Sequence, residues 1–178
     1  MLMLASFIVV LIGYFKNNEP KISYELTPKT IKFNHRRGQW QIYWLNVIRI
    51  GEVYADIQGE RVRLPYLGIR LASIEPLAKS IPPRLANKLI HEQKELVRLA
   101  VKNLRLTIEQ GAIHFDGFKT KEQLIKGPVG AWLHQSDNLA LAYGYHLYLP
   151  EDSFDRDIAQ FLSLLKSCHT YSAKQQEE

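Results

Sequence analysis

Residues 22–50 read ISYELTPKTIKFNHRRGQWQIYWLNVIRI, and this stretch decides the fold. Ile22, Tyr24 and Leu26 alternate with Ser23, Glu25 and Thr27, the two-residue period of a half-buried strand. Thr27-Pro28-Lys29 reads as a turn because the Pro28 ring presets φ. Ile31 and Phe33 carry a second strand, with Lys32 and Asn34 on its other face. Arg36-Arg37-Gly38 supplies the next turn, where Gly38 is free to take positive φ. Gln39 to Leu45 is a third strand, with Trp40, Ile42 and Trp44 on one face and Gln41 and Tyr43 on the other.

The same pattern continues downstream. Val47 to Tyr54 predicts a fourth strand, Gln58-Gly59-Glu60 a turn, and Val62-Arg63-Leu64 another strand. Pro65 interrupts that run and marks an edge or a bulge, with Tyr66 to Leu71 as a further short strand. Roughly five or six antiparallel strands in about fifty residues make a meander. Its apolar face needs a second layer to cover it.

That layer is legible between residues 76 and 143. Ser80, Pro82 and Pro83 signal a helix start. Leu85, Leu89, Leu96 and Ala100 follow at helical spacing, and Lys88 and Glu92 form an i,i+4 pair on the solvent side. One long helix over residues 84–102 is expected. Gly111 to Phe118 is open between a short hairpin and an irregular loop. Gly127-Pro128 opens another helix that Gly144 ends, and Tyr145 to Leu149 is a strand. Asp152 or Ser153 is expected to cap a last helix with an apolar stripe at Phe154, Ile158, Phe161, Leu162 and Leu165. Residues 171–178 read as a disordered tail.

The chain has 178 residues, 46% hydrophobic and 23% charged, enough for one domain with an ordinary core. A single cysteine, Cys168, excludes an intramolecular disulfide and a cysteine-based zinc site. Residues 1–75 hold ten Lys/Arg against six Asp/Glu, residues 76–126 ten against five, and residues 127–178 three against seven. Such a basic front and middle suits anionic lipid or nucleic acid, or simply a solvated surface that attracts the acidic end.

Met1 to Phe15, MLMLASFIVVLIGYF, carries no charge. A full membrane span takes about 20 apolar residues, so this segment is short. It lacks the basic start and the cleavage site of a signal peptide. A buried core element and a short or truncated membrane anchor remain, and the anchor is the expectation. Residues 16–21 form a linker in which Pro20 stops any helix. Lys16 and Lys21 beside the apolar segment place the domain on the cytoplasmic side of a cell inner membrane.

A strand meander, one more strand and a closing amphipathic helix resemble a pleckstrin-homology (PH)-like fold. The run YELTPKTIKFNHRRGQWQIYWLNVIRIG is similar to the opening hairpins of bacterial PH-like domains. RLPYLGIRL, PPRLANKLIHEQKELVRLA and GYHLYLPEDSFDRDIAQFLSLL extend the likeness to a small bacterial family of uncharacterised membrane proteins, a domain-of-unknown-function family. The resemblance covers most of residues 20–168 and is structural rather than catalytic. It implies an α+β domain over residues 22–170: a PH-like antiparallel sheet or partly open barrel, a helical insertion at about 76–143, and a C-terminal capping helix. The resemblance also implies a fuller transmembrane segment, an expectation from which the short stretch 1–15 departs.

Lys29, Lys32, His35, Arg36 and Arg37 are the sharpest cluster, five basic or titratable residues in nine positions without an acid. If the hairpins bring them to one end of the sheet, they stand where PH domains hold phosphorylated headgroups. Paired guanidinium donors suit phosphate oxygens. Phosphoinositides are rare in bacteria, so anionic bilayer lipid would be the ligand; a solvated turn is the plain alternative. Trp40, Tyr43, Trp44 and Trp132 suit either base stacking or a core. Glu151, Asp152, Asp155 and Asp157 suit either a cation or the N-terminus of a helix, and capping is the better account. Cys168-His169 lies at a fraying helix end and makes a poor nucleophile pair. No GxSxG, P-loop, GxGxxG or HxxxH pattern occurs, and no cofactor or metal is expected. The expected function is a non-enzymatic, membrane-tethered interaction module for an anionic lipid headgroup or a protein partner. The alternatives are a nucleic-acid-binding module and an enzyme whose site gathers His114, Asp116 and His134.

Overall fold

A computed structural model describes residues 23–121 and 123–175. The apolar segment 1–15 and the linker 16–21 lie outside the described residues. Strands β1 (Tyr24–Leu26), β2 (Thr30–His35) and β3 (Gly38–Tyr43) form one antiparallel sheet in chain order. Alternation is the cause: Ile31, Phe33, Trp40 and Ile42 are buried, while Gln39, Gln41 and Tyr43 are exposed. The third strand ends at Tyr43, two residues earlier than its alternation predicts. Trp44–Asn46 instead form a 3-10 turn. Trp44 is buried there, its indole N–H donating to the Thr27 carbonyl at 2.8 Å.

Strands β4 (Val47–Ile57) and β5 (Glu60–Leu71) continue into a second three-stranded sheet, completed by β8 (Leu147–Pro150) on the far side of β5. The two runs expected either side of Pro65 are one strand. Pairing jumps from Glu52↔Leu67 to Tyr54↔Arg63, so Pro65 sits in a bulge. β8 pairs only from Tyr66 onward, which leaves the proline where no ladder amide is demanded. The architecture is mixed α+β with antiparallel sheets. The expected barrel does not form as a closed one, because each sheet pairs within itself.

β5 and β8 pair directly, so everything between them is an excursion from the sheet. It holds α1 (Glu75–Ser80), α2 (Pro83–Glu92), α3 (Lys94–Lys102), α4 (Ile108–Gly111), a two-residue hairpin β6–β7 (Phe118–Lys119, Leu124–Ile125) and α5 (Gly127–Tyr143). The single helix expected over 84–102 is broken at Gln93, whose ψ is 3°. Gln93 is buried, and its side-chain carbonyl accepts from the Gln135 amide at 3.3 Å. A long-range contact thus sets the break. α5 ends on Gly144 at φ +84°, the left-handed cap its position predicts. α5 is buried on most sides, and Trp132, Leu133 and Leu139 join the core.

α6 (Ile158–Lys174) starts later than expected, because Asp157 rather than Asp152 or Ser153 is its cap. The Asp157 carboxylate accepts from the Ala159 and Gln160 amides at 2.6 and 3.3 Å. The helix also runs past residue 170 to Lys174, and Ser172 is buried, so the described part of the tail expected at 171–178 is helical; residues 176–178 lie outside the described residues. Tyr145 locks β8 to the sheet. Its ring lies on the paired glycines Gly51 and Gly68, where a Cβ on Gly68 would come within 2.2 Å of the ring.

Candidate functional site

The turn Arg36-Arg37 joins β2 to β3. Gly38 follows at φ +135°, and a Cβ there would fall 2.2 Å from Pro82 Cγ. Glycine therefore serves twice: it permits the turn, and it lets the start of α2 press against it. Between them opens a cleft of about 430 Å³. His35 and Arg36 line one wall, Lys88 and Glu92 of α2 another. Asp152 and Ser153, from the connection between β8 and α6, close the third side. Tyr24, Phe33 and Trp40 give it an aromatic floor, with Phe33 and Trp40 rings 5.6 Å apart.

His35 is held by its neighbour. Its Nδ1 accepts the Arg37 amide at 3.0 Å, which leaves the proton on Nε2. Burial lowers its pKa; the Glu92 carboxylate opposes this, while Lys88, Arg36 and Arg37 reinforce it. Tyr24 shares a 2.9 Å hydrogen bond with Ser153, and burial pushes its phenol well above the usual range. Lys88 is paired with Glu92 at 2.9 Å. Arg36 and Arg37 are exposed and have no ion-pair partner among the described residues. The cleft presents the Arg36 guanidinium and the His35 imidazole N–H above aromatic rings, with Lys88 paired to Glu92, the Asp152 carboxylate on another wall, and the Tyr24 and Ser153 hydroxyls engaged with each other and with the Pro150 carbonyl. Guanidinium and imidazole donors are the groups there that suit an anionic oxygen.

The five sequence-selected residues do not all converge. Antiparallel pairing puts the β1–β2 and β2–β3 turns at opposite ends of β2, about 17 Å apart. Lys29 is therefore remote from Arg36 and Arg37. Lys32 sits mid-strand and pairs with Glu25 at 3.7 Å. His35, Arg36 and Arg37 stay together, and His35 and Arg36 line the cleft. Lys88, Glu92, Ser153 and Tyr24 are not marked as site residues by the sequence, and Asp152 is marked there only as a cation or capping candidate. The Lys88–Glu92 spacing was visible, but nothing local shows that it faces the turn.

The other candidates have structural employment. Trp40, Trp44 and Trp132 are buried, which removes the tryptophans from any base-stacking surface; Tyr43 remains exposed. Asp157 caps α6, Asp155 pairs with Arg156 at 2.9 Å, and Glu151 pairs with Arg63 at 3.2 Å. His114 and His134 rings approach to 5.8 Å, but the His114 Nε2 is engaged by the Glu109 carbonyl at 2.7 Å. Asp116 is exposed. Cys168 and His169 diverge: His169 Nε2 meets the Val47 carbonyl at 3.0 Å, and burial raises the Cys168 thiol pKa. Among the described residues no group of three His, Cys, Asp or Glu is placed to hold a metal. Nor is any described helix long and apolar enough to cross a membrane.

The class defined so far is an α+β domain with two three-stranded antiparallel sheets, a helical insertion and a cleft in which Arg36 and Lys88 share the lining with the Glu92 and Asp152 carboxylates. The chain belongs to the family described as "Protein of unknown function (DUF2982)", whose family model matches residues 24–171. No curated protein and no solved structure matches it.

Proposed function

We propose that this protein is a non-enzymatic, membrane-tethered module of PH-like type whose cleft takes the anionic headgroup of a bilayer lipid. The observation that carries the reading is the Arg36-Arg37 turn, whose guanidinium groups have no ion-pair partner among the described residues and whose Arg36 lines a cleft with an aromatic floor. Exposed arginines without an ion-pair partner contribute little to folding, which leaves their guanidinium groups free to meet an anionic ligand. The order of elements supports the PH-like assignment: a three-stranded meander, a second antiparallel sheet, and a terminal helix that packs on β4 through His169. The uncharged stretch at 1–15 and the lysines after it support a tether with the domain facing the cytoplasm.

Vesicle co-sedimentation of the full chain tests the cleft. Phosphatidylglycerol-containing vesicles should retain the protein more strongly than phosphatidylcholine alone. The double variant Arg36→Glu/Arg37→Glu should weaken that preference at least about tenfold. An unchanged preference in the variant would exclude the cleft, and a pull-down protein released by the same variant would favour a protein partner. For the tether, recovery of the whole protein in the soluble fraction of cells would contradict it.

A further inference from the structure

The cleft carries charges of both signs, and their arrangement narrows the ligand. One wall is the short 3-10 turn Glu151–Ser153 between β8 and α6. Two of its three residues hold it in place. The Glu151 carboxylate pairs with Arg63 at 3.2 Å. The Ser153 hydroxyl donates to the Pro150 carbonyl at 2.6 Å and so accepts from the Tyr24 phenol at 2.9 Å. Asp152 stands between these two anchors and lines the cleft. Its carboxylate has no ion-pair partner among the described residues, so its backbone is fixed while its charge is unmet.

Arg36 is the counterpart on the opposite sign, exposed and likewise without an ion-pair partner among the described residues. The rings of the floor connect the two. Tyr24, bonded to the Ser153 next to Asp152, lies 5.1 Å from Phe33, and Phe33 lies 6.1 Å from His35, the neighbour of Arg36. Two ring spacings therefore separate the acidic turn from the basic one. Between them Lys88 and Glu92 meet each other at 2.9 Å and largely cancel. The Glu92 carboxylate opposes the lowering of the His35 pKa, and it and Asp152 both help to raise that of Tyr24, as their places along the cleft require. The space of about 430 Å³ is thus positive beside Arg36 and negative beside Asp152, and its volume is that of a small-molecule site.

We propose that the cleft takes a zwitterion: a phosphate held by Arg36 and the His35 N–H, joined by a short alkyl arm to a primary ammonium that donates to Asp152, as in the headgroup of phosphatidylethanolamine. The inference rests on the headgroup reading and names the chemical class of that headgroup, the phosphate being its anionic group. Each part has a partner of matching chemistry. Guanidinium donors suit the phosphate oxygens. The methylene arm crosses the aromatic floor, and a carboxylate accepts the ammonium N–H. A trimethylammonium has no N–H to donate, so a choline phosphate meets only half of the site.

The test titrates the full chain with two soluble phosphodiesters, glycerophosphoethanolamine and glycerophosphoglycerol, and follows the His35 Cε1 proton resonance. The probes share the phosphate and differ in the ammonium. Glycerophosphoethanolamine should bind about fivefold more tightly, the gain of one solvent-exposed ion pair. Asp152→Asn should bring the two affinities together by weakening the first probe, while the second holds or tightens; a merely structural role for Asp152 would weaken both. Equal affinities in the unaltered protein, or a preference that survives Asp152→Asn, would overturn the inference and leave the headgroup reading standing. A His35 resonance silent toward both probes would remove that reading and the inference together. Vesicles separate the sources of the ligand. At a fixed phosphatidylglycerol content, exchanging phosphatidylcholine for phosphatidylethanolamine should raise retention of the unaltered protein and leave Asp152→Asn unchanged. Discrimination between the soluble probes without that vesicle effect would keep the zwitterion and assign it to a soluble aminoalkyl phosphate.

Discussion

His35 and His146 invite comparison because they share so much. Each accepts a backbone amide through Nδ1 at 3.0 Å, from Arg37 and from Leu71 respectively. Burial lowers the pKa of both. Their surroundings differ. His146 sits in the seam where β8 meets β5, its own carbonyl accepting from Ser136 at 2.6 Å, with the neighbouring Tyr145 ring flat on two glycines. His35 stands at an open cleft beside a guanidinium that has no ion-pair partner among the described residues. A perturbed pKa and a fixed tautomer are therefore not marks of a binding site in this molecule. Charge with no ion-pair partner among the described residues, beside open volume, is what sets the proposed site apart.

The seam should be where the fold is most easily broken. Gly68→Ala drives a methyl into the Tyr145 ring and should cost about 3 kcal/mol by denaturant unfolding. A cost under about 1 kcal/mol would mean that the ring moves freely and the seam is no scaffold.

Acid should expose the seam next. Burial, then the Arg70 guanidinium, bring the His146 pKa down to about 4, even though Asp137 lies 3.8 Å from Nε2. Protonating Nδ1 would forfeit the bond from Leu71. Because the folded value lies below the unfolded value of about 6.5, the contribution is fully present above that value. It is lost as pH falls from there through the folded value. About 2 kcal/mol should disappear between neutral pH and pH 4. The Asp137 carboxyl, raised by burial, works in the opposite direction at the acid end. His146→Asn should flatten the profile; an equally steep profile in that variant would assign the loss elsewhere.

The cleft should show the reverse. Arg36→Ala/Arg37→Ala should change stability by less than about 0.5 kcal/mol, since neither side chain has an ion-pair partner among the described residues. A larger loss by thermal or denaturant unfolding would make the turn part of the scaffold and erase the contrast.

How much of this was legible in the sequence follows from the range of each interaction. Period-two alternation placed Ile31, Phe33, Trp40 and Ile42 inside because strand geometry is local. Gly38 and Gly144 were read correctly because positive φ is a local demand. The break at Gln93 was not legible, since its partner Gln135 lies 42 positions away. The joining of two runs into β5 across Pro65 depends on β4 and β8. The cleft was half legible. His35, Arg36 and Arg37 announced themselves by composition, whereas Ser153 meets Tyr24 from 129 positions away. Lys29 was grouped with them by nearness in sequence, which antiparallel pairing undoes.

The most direct test follows the imidazole Cε1 proton resonances of the full chain while glycerol phosphate, a soluble fragment of an anionic lipid headgroup, is titrated in. The account predicts that the His35 resonance moves and saturates, that Arg36→Glu/Arg37→Glu abolishes the movement, and that His146 stays still. A silent His35, or a shift that the double variant leaves intact, would contradict it.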